Sequence, residues 1–332
     1  MRRRSQIPRD ERERTGGAEG NAGTSPEEER PPVSVLVGPT AAGKSATAHR
    51  IACRRNAVVV SADAMNVYRG MDIGTAKPDQ SERGEVTYLG VDLVDPSESF
   101  SVGDYLRRVA PGVRAAVEAG REIIVAGGTG LYVRCLLEGL SDAPAADEAF
   151  RRWADRQDAP ALRRELERLD PDALAALADP ENPRRLVRAI ECARAGHTKR
   201  TWARLPPGPP VAGLTMDRAV LHERIAGRIE TMYAQGLLEE ARRLRQGPLS
   251  STAREAIGYR EAFDVLDGAC SLREAAERTR IRTRRLARRQ MTWFRHQLRV
   301  EWVDMGDGPD PGVAEEGVQK IWEQYGRNRL RI

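Results

Sequence analysis

Short apolar runs alternate with helical patterns over residues 33–140 of the chain. The runs are rich in β-branched residues and occupy 33–37, 57–60, 88–94 and 122–126. Continuous apolar runs of this length are typical of parallel strands that are buried on both faces of a sheet. Helical patterns follow three of these runs and end near residues 52, 119 and 138. The alternation predicts an α/β fold with a doubly wound parallel sheet.

The pattern changes beyond residue 141. Residues 142–196 are rich in alanine, leucine and arginine and contain several prolines, which predicts an insertion of short helices. A further strand is predicted at 211–216, returning to the sheet. Long helical patterns follow at 221–244 and 272–298.

These changes divide the chain into a core, an insertion and two tails. The core is predicted at 32–141 and 197–303 and includes the C-terminal helices, with the helical insertion at 142–196. Residues 1–31 carry many charges and glycines and almost no large apolar residues, which predicts a disordered tail. Residues 304–332 are assigned to a C-terminal tail.

Two local features add detail to this plan. Pro111 lies within the helical pattern that ends near residue 119, and we expect it to kink or divide that helix because proline has no N–H. The segment 66–78 is polar and contains glycines, which predicts a surface loop after the second strand.

Composition and charge limit the classes of protein that fit. Charged residues make up 31% of the chain, and no run approaches the roughly 18 apolar residues that span a bilayer, so no membrane segment is predicted. The net charge is +5, and nine arginines lie between residues 278 and 299. These arginines form a candidate nucleic-acid surface, with a solvated helix face as the alternative. The cysteines show no metal-like spacing and are expected to be single reduced thiols: Cys53, Cys135, Cys192 and Cys270.

The sequence GPTAAGKS lies between the first predicted strand and the first predicted helix. It matches G-x-x-x-x-G-K-[ST], in which backbone N–H groups and a helix N-terminus converge on phosphate. The lysine can reach a terminal phosphate, and the serine hydroxyl can bind Mg²⁺. We therefore predict a phosphate site at Gly38, Pro39, Thr40, Ala41, Ala42, Gly43, Lys44 and Ser45, with Ser45 as the metal ligand.

Polar residues also follow the second and fourth predicted strands. Asp63 ends the sequence Ser61-Ala62-Asp63, and Thr129 lies in a glycine-rich turn. Ligands of open α/β sheets bind at the carboxyl ends of the strands, so Asp63 is expected near the phosphate loop. From the sequence alone, Asp63 could be a strand-end cap or an outer Mg²⁺ ligand, and Thr129 could be a helix N-cap.

Seven motifs, taken in order, resemble those of the tRNA dimethylallyltransferase (isopentenyl-tRNA transferase) family. They are GPTAAGKS at 38, DAMNVYRGMDIGTAKP at 63, DLVDP at 92, GGTGLY at 127, NPRRLVRAIE at 182, AIGYRE at 256 and RQMTWFR at 289. The similarity extends from about residue 33 to 303 and has a bacterial layout. It implies a P-loop NTPase-like parallel sheet core with a helical insertion domain and C-terminal helices.

The resemblance implies transfer of a dimethylallyl group from dimethylallyl diphosphate to N6 of the adenosine 3′ to the anticodon. The tRNAs would be those that read codons beginning with U, and the products would be N6-dimethylallyladenosine and diphosphate. Mg²⁺ is the implied cofactor, and the tRNA anticodon stem-loop is the implied partner of a cytoplasmic monomer. The implied catalytic residues are Asp63, as proton acceptor, with Thr129 and Lys44.

The same resemblance implies tRNA contacts and a diphosphate clamp. The implied tRNA-binding residues are Asp63, Ala64, Met65, Asn66, Thr129, Arg151, Arg184, Arg185, Leu186, Val187 and Arg188. Three arginines, Arg218, Arg224 and Arg228, lie on or beside one predicted helix. Arg224 and Arg228 are the clamp candidates, and ionic pairing within the helix is the alternative.

The chain departs from the family pattern near the target-nucleotide segment. Ala64 and Asn66 stand where the family usually has serine and glutamine, and Tyr88-Leu89 stand where it commonly has paired histidines. Asparagine keeps the amide but is one methylene shorter than glutamine. We therefore expect altered recognition of the target nucleotide while prenyl transfer is retained.

Three other functions share part of this signature. A P-loop kinase of a small metabolite would need only the phosphate loop, and a prenyltransferase acting on free adenine nucleotides would not need the helical insertion. A non-catalytic tRNA-binding paralogue would fit the departures at Ala64 and Tyr88. Lys44, Ser45, Asp63 and Thr129 argue against the non-catalytic paralogue, the helical insertion argues against the free-nucleotide prenyltransferase, and the later motifs that resemble tRNA-contacting segments argue against the kinase.

Overall fold

The computed structural model describes residues 30–140, 144, 147–197, 208–308 and 310–332. Its strands are β1 (Pro32–Val37), β2 (Val58–Ser61), β3 (Tyr88–Leu89), β4 (Ile123–Gly127), β5 (Val211–Thr215), β6 (Val300–Asp304) and β7 (Asn328–Arg329). Six of them form one sheet in the order β3-β2-β4-β1-β5-β6, and all pairs along this order are parallel. The short strand β7 pairs antiparallel with the beginning of β1. The predicted parallel α/β sheet is confirmed.

Helices cover both faces of this sheet. They are α1 (Lys44–Arg55), α2 (Gln80–Glu85), α3 (Val102–Glu118), α4 (Gly130–Glu138), α5 (Glu148–Ala154), α6 (Ala159–Leu169), α7 (Pro171–Ala175), α8 (Pro183–Arg194), α9 (Arg218–Ala234), α10 (Leu237–Leu244), α11 (Ser251–Arg254), α12 (Tyr259–Leu266), α13 (Leu272–Gln297) and α14 (Pro311–Tyr325). On β1, Val35 and Val37 belong to an apolar cluster shared with α3, α4, α10 and α12. Leu36 belongs to a second cluster shared with α1, α9 and α14. Alternate residues of a strand face opposite sides, so the two clusters lie on opposite faces of the sheet.

The predicted insertion contains four short helices, α5 to α8, which pack around an apolar cluster of their own. Each helix begins after an Asp or Asn whose side chain accepts a backbone N–H, namely Asp147, Asp158, Asp170 and Asn182. Proline follows at the first or second position of α6, α7 and α8. Three of the prolines that interrupt the sequence pattern, Pro160, Pro171 and Pro183, therefore mark the starts of helices.

Three predicted elements have different limits in the structure. The long pattern at 221–244 forms two helices, because Gly236, with a φ of 100°, separates α9 from α10. Strand β3 has only two residues, since Gly90 and Asp92 both have positive φ and turn the chain away from the sheet. Pro111 does not divide α3; Pro111 and Arg107, whose carbonyl loses its donor, both lie on the exposed side, where water can replace the hydrogen bond.

Residues 304–332 do not form a tail, and this prediction is wrong. Strand β6 pairs with β5 over five residue pairs. Helix α14 packs beside α1, where buried Glu315 pairs with Arg50 and Arg54. The indole N–H of Trp322 donates to the carbonyl of Val35 in β1 at 3.1 Å. The sequence pattern missed this segment because β6 is a half-exposed edge strand that mixes polar and apolar residues.

Two sequence predictions concern regions beyond this core. The disordered N-terminal tail predicted at 1–31 lies outside the described residues except for residues 30 and 31. The carbonyl of Pro31 accepts a hydrogen bond from the N–H of Leu330. Among the described residues, the helices are all too short or too polar to cross a membrane.

Candidate active site

The glycine loop 38–45 connects β1 to α1, and two glycines determine its course. Gly38 has a φ of 146°, and a Cβ atom there would lie 2.6 Å from the carbonyl oxygen of Leu214 in β5. Gly43 has a φ of 95° and stands immediately before α1. Because Gly43 has no side chain, the first N–H groups of α1 remain available to an anion. Ser45 is exposed on this first turn, where its hydroxyl is accessible to a ligand.

Lys44 is the buried cation of this loop, with 8% of its surface exposed. Its Nζ donates to the carbonyl of Pro39 at 2.6 Å, and the N–H of Ala42 donates to the same carbonyl at 3.3 Å. Burial lowers the pKa of Lys44 to about 8, while the charge of Asp63 opposes this shift and that of Arg228 adds to it. An anion bound in the loop would therefore stabilise the charged amine.

Asp63 and Thr129 lie close together because they follow the paired strands β2 and β4. A Cβ atom at Gly127 would lie 2.1 Å from the carbonyl oxygen of Ala62, so this approach requires glycine. The N–H of Thr129 donates to that carbonyl at 3.1 Å, and its hydroxyl accepts from the N–H of Ala64 at 3.0 Å. Thr129 occupies the N-cap position of α4, but its hydroxyl makes no capping bond. The hydroxyl instead faces the Asp63 segment.

The carboxylate of Asp63 is half-buried beside the cations of the loop. Its Oδ1 accepts from the N–H of Met65 at 2.9 Å, which holds the side chain in a local turn. Burial lowers the pKa of Arg228, and the charge of Asp63 opposes that shift, as it does for Lys44. Asp63 therefore lies within electrostatic reach of both cations.

Asn66 is almost fully buried and carries an unsatisfied acceptor. Its Nδ2 donates to the hydroxyl of Ser61 at 3.1 Å. Its Oδ1 is buried and has no hydrogen-bond partner among the residues that the structure describes. A buried polar atom without a partner is costly, so this oxygen is suited to accept a hydrogen bond from a ligand. Between Asp63 and Asn66, the half-buried side chains of Ala64 and Met65 pack against the core.

The two clamp candidates, Arg224 and Arg228, both contact the phosphate loop. Arg224 Nε donates to the carbonyl of Ala41 at 2.8 Å, and Arg228 Nη1 donates to the hydroxyl of Thr40 at 3.3 Å. Arg224 is exposed and Arg228 is half-buried. Arg218 begins the same helix about 15 Å from Arg228 along its axis, at ~1.5 Å per residue. Arg224 and Arg228 therefore lie at the phosphate loop, whereas Arg218 lies apart from them.

The segment 66–78 is a loop, as predicted, but its buried side chains and hydrogen bonds anchor it to the core, so it does not lie simply on the surface. Buried Glu240 of α10 accepts the N–H groups of Asp72 at 3.1 Å and Ile73 at 3.0 Å. The hydroxyl of Tyr259 donates to Glu240 at 2.5 Å. A Cβ atom at Gly74 would lie 2.5 Å from the ring of Tyr259, which explains the glycine. Sequence reasoning missed Glu240 because no local pattern pairs it with a loop 166 to 168 residues earlier.

Gln290 of α13 connects the phosphate loop to the turn that carries Thr129. Its Oε1 accepts the N–H of Thr40 at 2.8 Å, and its Nε2 donates to the carbonyl of Gly128 at 3.0 Å. A Cβ atom at Gly128 would lie 2.4 Å from Gln290 Nε2. Gln290 lies in the motif RQMTWFR, but the sequence predicted no role for it. The contact spans 250 residues, and only the motif itself signalled it.

In the insertion, two of the predicted tRNA-binding arginines pair with one buried carboxylate. Arg151 Nε donates to Glu191 Oε1 at 2.6 Å, and Arg188 Nη1 donates to Glu191 Oε2 at 2.8 Å. The side chain of Glu191 is 1% exposed, whereas those of the two arginines are 35% and 39% exposed. These arginines therefore have a structural role, with part of each side chain still accessible.

The other residues of the insertion that were predicted to bind tRNA differ in their burial. Leu186 is fully buried in the apolar cluster of the insertion, so its side chain is not available to tRNA and this prediction is wrong. The prediction included Leu186 because the motif NPRRLVRAIE is contiguous, although this position of α8 faces inward. Val187 is half-buried against the same cluster. Arg184 and Arg185 are exposed, and Arg184 donates to the hydroxyl of Thr252 at 3.1 Å.

The arginines of helix α13 fall into two groups. Near its beginning, Arg278 pairs with Asp264, and Arg282 pairs with buried Glu261. Nearer its end, four arginines are exposed and have no carboxylate of the described ranges within 4.0 Å, namely Arg285, Arg288, Arg289 and Arg295. This second group lies on the stretch of α13 that contacts the turn of Thr129 through Gln290. We name these four residues the α13 cationic surface.

The sheet order, the glycine loop after β1 and the polar residues after β2 and β4 define an α/β protein of the P-loop NTPase-like class. Residues 66–297 match the family model described as IPP transferase. The chain is 43% identical over 303 residues to a tRNA dimethylallyltransferase of Xanthomonas axonopodis pv. citri, covering 83% of this chain and 90% of that protein. It is 41% identical over 286 residues to one from Halalkalibacterium halodurans, covering 82% and 90%. The chain belongs to the tRNA dimethylallyltransferase family.

A solved structure supports the same assignment. The full-length tRNA isopentenylpyrophosphate transferase from Bacillus halodurans is 37% identical and superimposes with a TM-score of 0.64. The similarity covers 89% of this chain and 96% of that one. The fold and family predicted from the seven motifs are thereby confirmed.

Proposed function

We propose that the protein transfers a dimethylallyl group from dimethylallyl diphosphate to N6 of the adenosine 3′ to the anticodon, in tRNAs that read codons beginning with U. The observation that carries this proposal is the convergence of the phosphate loop with Asp63 and Thr129 at neighbouring strand ends. One side suits a diphosphate leaving group, and the other suits an amine that must lose a proton. As the family resemblance implies, the enzyme would act as a monomer in the cytoplasm.

The phosphate loop would hold the diphosphate of the prenyl donor. Negative charge builds on the bridging oxygen as its bond to the prenyl carbon breaks, and fixed cations and N–H groups stabilise that charge. Lys44, Arg224 and Arg228 all contact loop atoms, and the α1 N-terminus adds uncapped N–H groups. These groups favour breaking of the carbon–oxygen bond.

The residues at the start of α1 also fit Mg²⁺. A hard cation prefers oxygen ligands, and Ser45 offers an exposed hydroxyl on the first turn of α1, beside the phosphate loop. When bound, Mg²⁺ would neutralise charge on the diphosphate oxygens.

Asp63 and Thr129 would act on the adenosine. As N6 forms its bond to the prenyl carbon, the nitrogen acquires a positive charge and must give up a proton. The Asp63 carboxylate would accept that proton. The Thr129 hydroxyl already accepts from Ala64, so its own hydrogen is available to the base, and the unpaired Oδ1 of Asn66 can accept from it.

The target base must leave its stack in the anticodon loop to reach these groups. The α13 cationic surface and the exposed Arg184 and Arg185 of the insertion would contact tRNA phosphates. Arg151 and Arg188 would contribute their exposed edges while Glu191 fixes their position. Val187, which is half-buried, would lie beside these contacts.

The proposal is tested by incubating the protein with Mg²⁺, dimethylallyl diphosphate and one of four additions, in parallel reactions. These are an unmodified tRNA with adenosine 3′ to the anticodon, the same tRNA with guanosine there, AMP, and ATP with small-metabolite acceptors. Mass spectrometry of nucleosides should find N6-dimethylallyladenosine only with the first. Product on AMP would move the protein to the free-nucleotide prenyltransferases. Phosphoryl transfer without prenyl transfer would indicate a kinase.

A further inference from the structure

Three side chains of types that can bind a metal lie together near the C-terminal end of α1, away from the phosphate loop. His49 and Cys53 lie one turn apart on α1, and Glu85 comes from the end of α2. Their ligand atoms all lie within 4.8 Å of one another. His49 is half-buried, whereas Cys53 and Glu85 are exposed, so an ion can enter from solvent.

The three distances match the edges of a tetrahedron around a metal ion. His49 Nε2 lies 3.2 Å from Glu85 Oε2, Cys53 Sγ lies 3.5 Å from His49 Nε2, and Cys53 Sγ lies 3.7 Å from Glu85 Oε2. Ordinary zinc bonds to nitrogen, oxygen and sulfur in tetrahedral geometry give edges of about 3.3, about 3.6 and about 3.5 Å in the same order. The donors therefore need little movement to share one ion.

A neighbouring tyrosine orients the imidazole for this purpose. His49 Nδ1 lies 2.9 Å from the hydroxyl of Tyr88, and the planes of the two rings are within 7° of parallel. Donation of Nδ1–H to an oxygen leaves the lone pair of Nε2 directed at the other two ligands. Tyr88 is one of the residues at which this chain departs from the family pattern of paired histidines.

We propose that His49, Cys53 and Glu85 form a binding site for a soft or borderline divalent cation of the Zn²⁺ type. The thiolate and imidazole favour such an ion over Mg²⁺, and solvent would supply the fourth ligand. On binding, the Cys53 thiol releases its proton to solvent. The ion would link α2 to α1, the helix that begins at the phosphate loop. Cysteine spacing alone did not reveal the site because its other ligands are a histidine and a distant glutamate.

The site is tested by titrating the full chain, stripped of metal with a chelator, with Co²⁺ in excess Mg²⁺. We expect one Co²⁺ per chain, a near-ultraviolet thiolate-to-cobalt charge-transfer band, and visible bands of four-coordinate intensity. Zn²⁺ should displace the Co²⁺ and raise the melting temperature. Absence of the charge-transfer band would overturn the proposal.

Variants identify the ligands independently of folding, which circular dichroism checks in each case. Cys53→Ser should abolish the band, whereas Cys270→Ser, at a half-buried cysteine outside the cluster, should retain it. His49→Gln and Glu85→Gln should weaken Zn²⁺ binding by about 100-fold or more, since even outer-shell changes cost about 10- to 100-fold. Tyr88→Phe should weaken it by about 10-fold. A band that persists in Cys53→Ser would contradict the assignment.

Discussion

The cations of the phosphate loop and those of the insertion have similar chemistry but opposite surroundings. Lys44 is buried without a salt-bridge partner among the described residues, and its pKa is lowered to about 8 mainly by burial. In the insertion, burial opposes a downward shift, yet Arg151 and Arg188 hold the pKa of Glu191 below its ordinary value. One region keeps its positive charge available to an anion, whereas the other uses it to hold helices together. We therefore expect the phosphate-loop region to govern the rate of prenyl transfer and the insertion to govern the affinity for tRNA.

The largest expected effect lies at Asp63. Asp63→Asn keeps the shape but removes the proton acceptor, so the single-turnover rate of prenyl transfer should fall by about 10³-fold. The dissociation constant for tRNA should remain within about twofold, because removing a proton acceptor does not change phosphate contacts. Asp310→Asn, at an exposed cap on α14, is the matched control. A normal rate in Asp63→Asn would exclude the proposed role.

Loss of the loop cation should be nearly as severe. Lys44→Met should lower kcat/KM for dimethylallyl diphosphate by about 10²- to 10³-fold, since charge on the leaving group loses a fixed partner. Lys320→Met, on the exposed side of α14, should be neutral. Equal losses in both variants would show that the effect is not local.

The lowered pKa of Lys44 predicts a pH dependence. In wild type, kcat/KM should decline as pH rises through about 8, because the free enzyme then loses the charged amine. The sign for stability is opposite. Between pH 8 and the ordinary lysine pKa of 10.5 the unfolded chain binds the Lys44 proton more tightly, so this residue's contribution to stability improves as pH rises. A pH profile that is flat to pH 10 would contradict a lowered pKa.

Gln290 should have an intermediate effect. Gln290→Leu removes both hydrogen bonds between the phosphate loop and the turn of Thr129, and misplacement of reacting groups by about 1 Å costs up to about 10²-fold. We expect kcat to fall by about 10-fold or more with tRNA affinity unchanged. Gln246→Leu, at an exposed position after α10, serves as control. Loss of tRNA affinity instead of kcat would place Gln290 in tRNA binding.

Loss of the Glu191 carboxylate should lower the stability of the insertion and weaken tRNA binding. Glu191→Gln leaves Arg151 and Arg188 without their shared carboxylate, so the free energy of unfolding of this region should fall by about 1–3 kcal/mol. The tRNA dissociation constant should rise while the rate at saturating tRNA is retained. Glu181→Gln, in an exposed pair with Arg163, is the control. A lower saturated rate would mean that the insertion also positions the reacting groups.

The smallest effect is expected on the α13 cationic surface. Replacing Arg288 and Arg289 together by Gln should weaken tRNA binding several-fold. It should also lower the salt slope by about 0.7–0.9 for each tRNA phosphate that the variant no longer neutralises. Arg278→Gln, at a paired position on the same helix, should leave the slope unchanged. An unchanged slope in the double variant would place the tRNA elsewhere.

Local patterns predicted the parts of this protein that depend on neighbouring residues. The strand–loop–helix units located the phosphate loop and Asp63, because the carboxyl ends of parallel strands meet at one edge of a sheet, and the family resemblance supplied Thr129. They did not predict Gln290 or Glu240, whose partners lie about 160 to 250 residues away. They also misplaced Leu186, since a contiguous motif carries inward and outward positions of a helix together, and they missed the edge strand β6.

The most direct test of the difference between the two regions compares Asp63→Asn with Glu191→Gln in one assay. Single-turnover prenyl transfer at saturating tRNA and the tRNA dissociation constant would be measured for both. The expected result is a rate loss of about 10³-fold with normal affinity in the first variant, and weaker affinity with a normal rate in the second. If both variants lose rate and affinity together, the division of catalysis and binding between core and insertion is wrong.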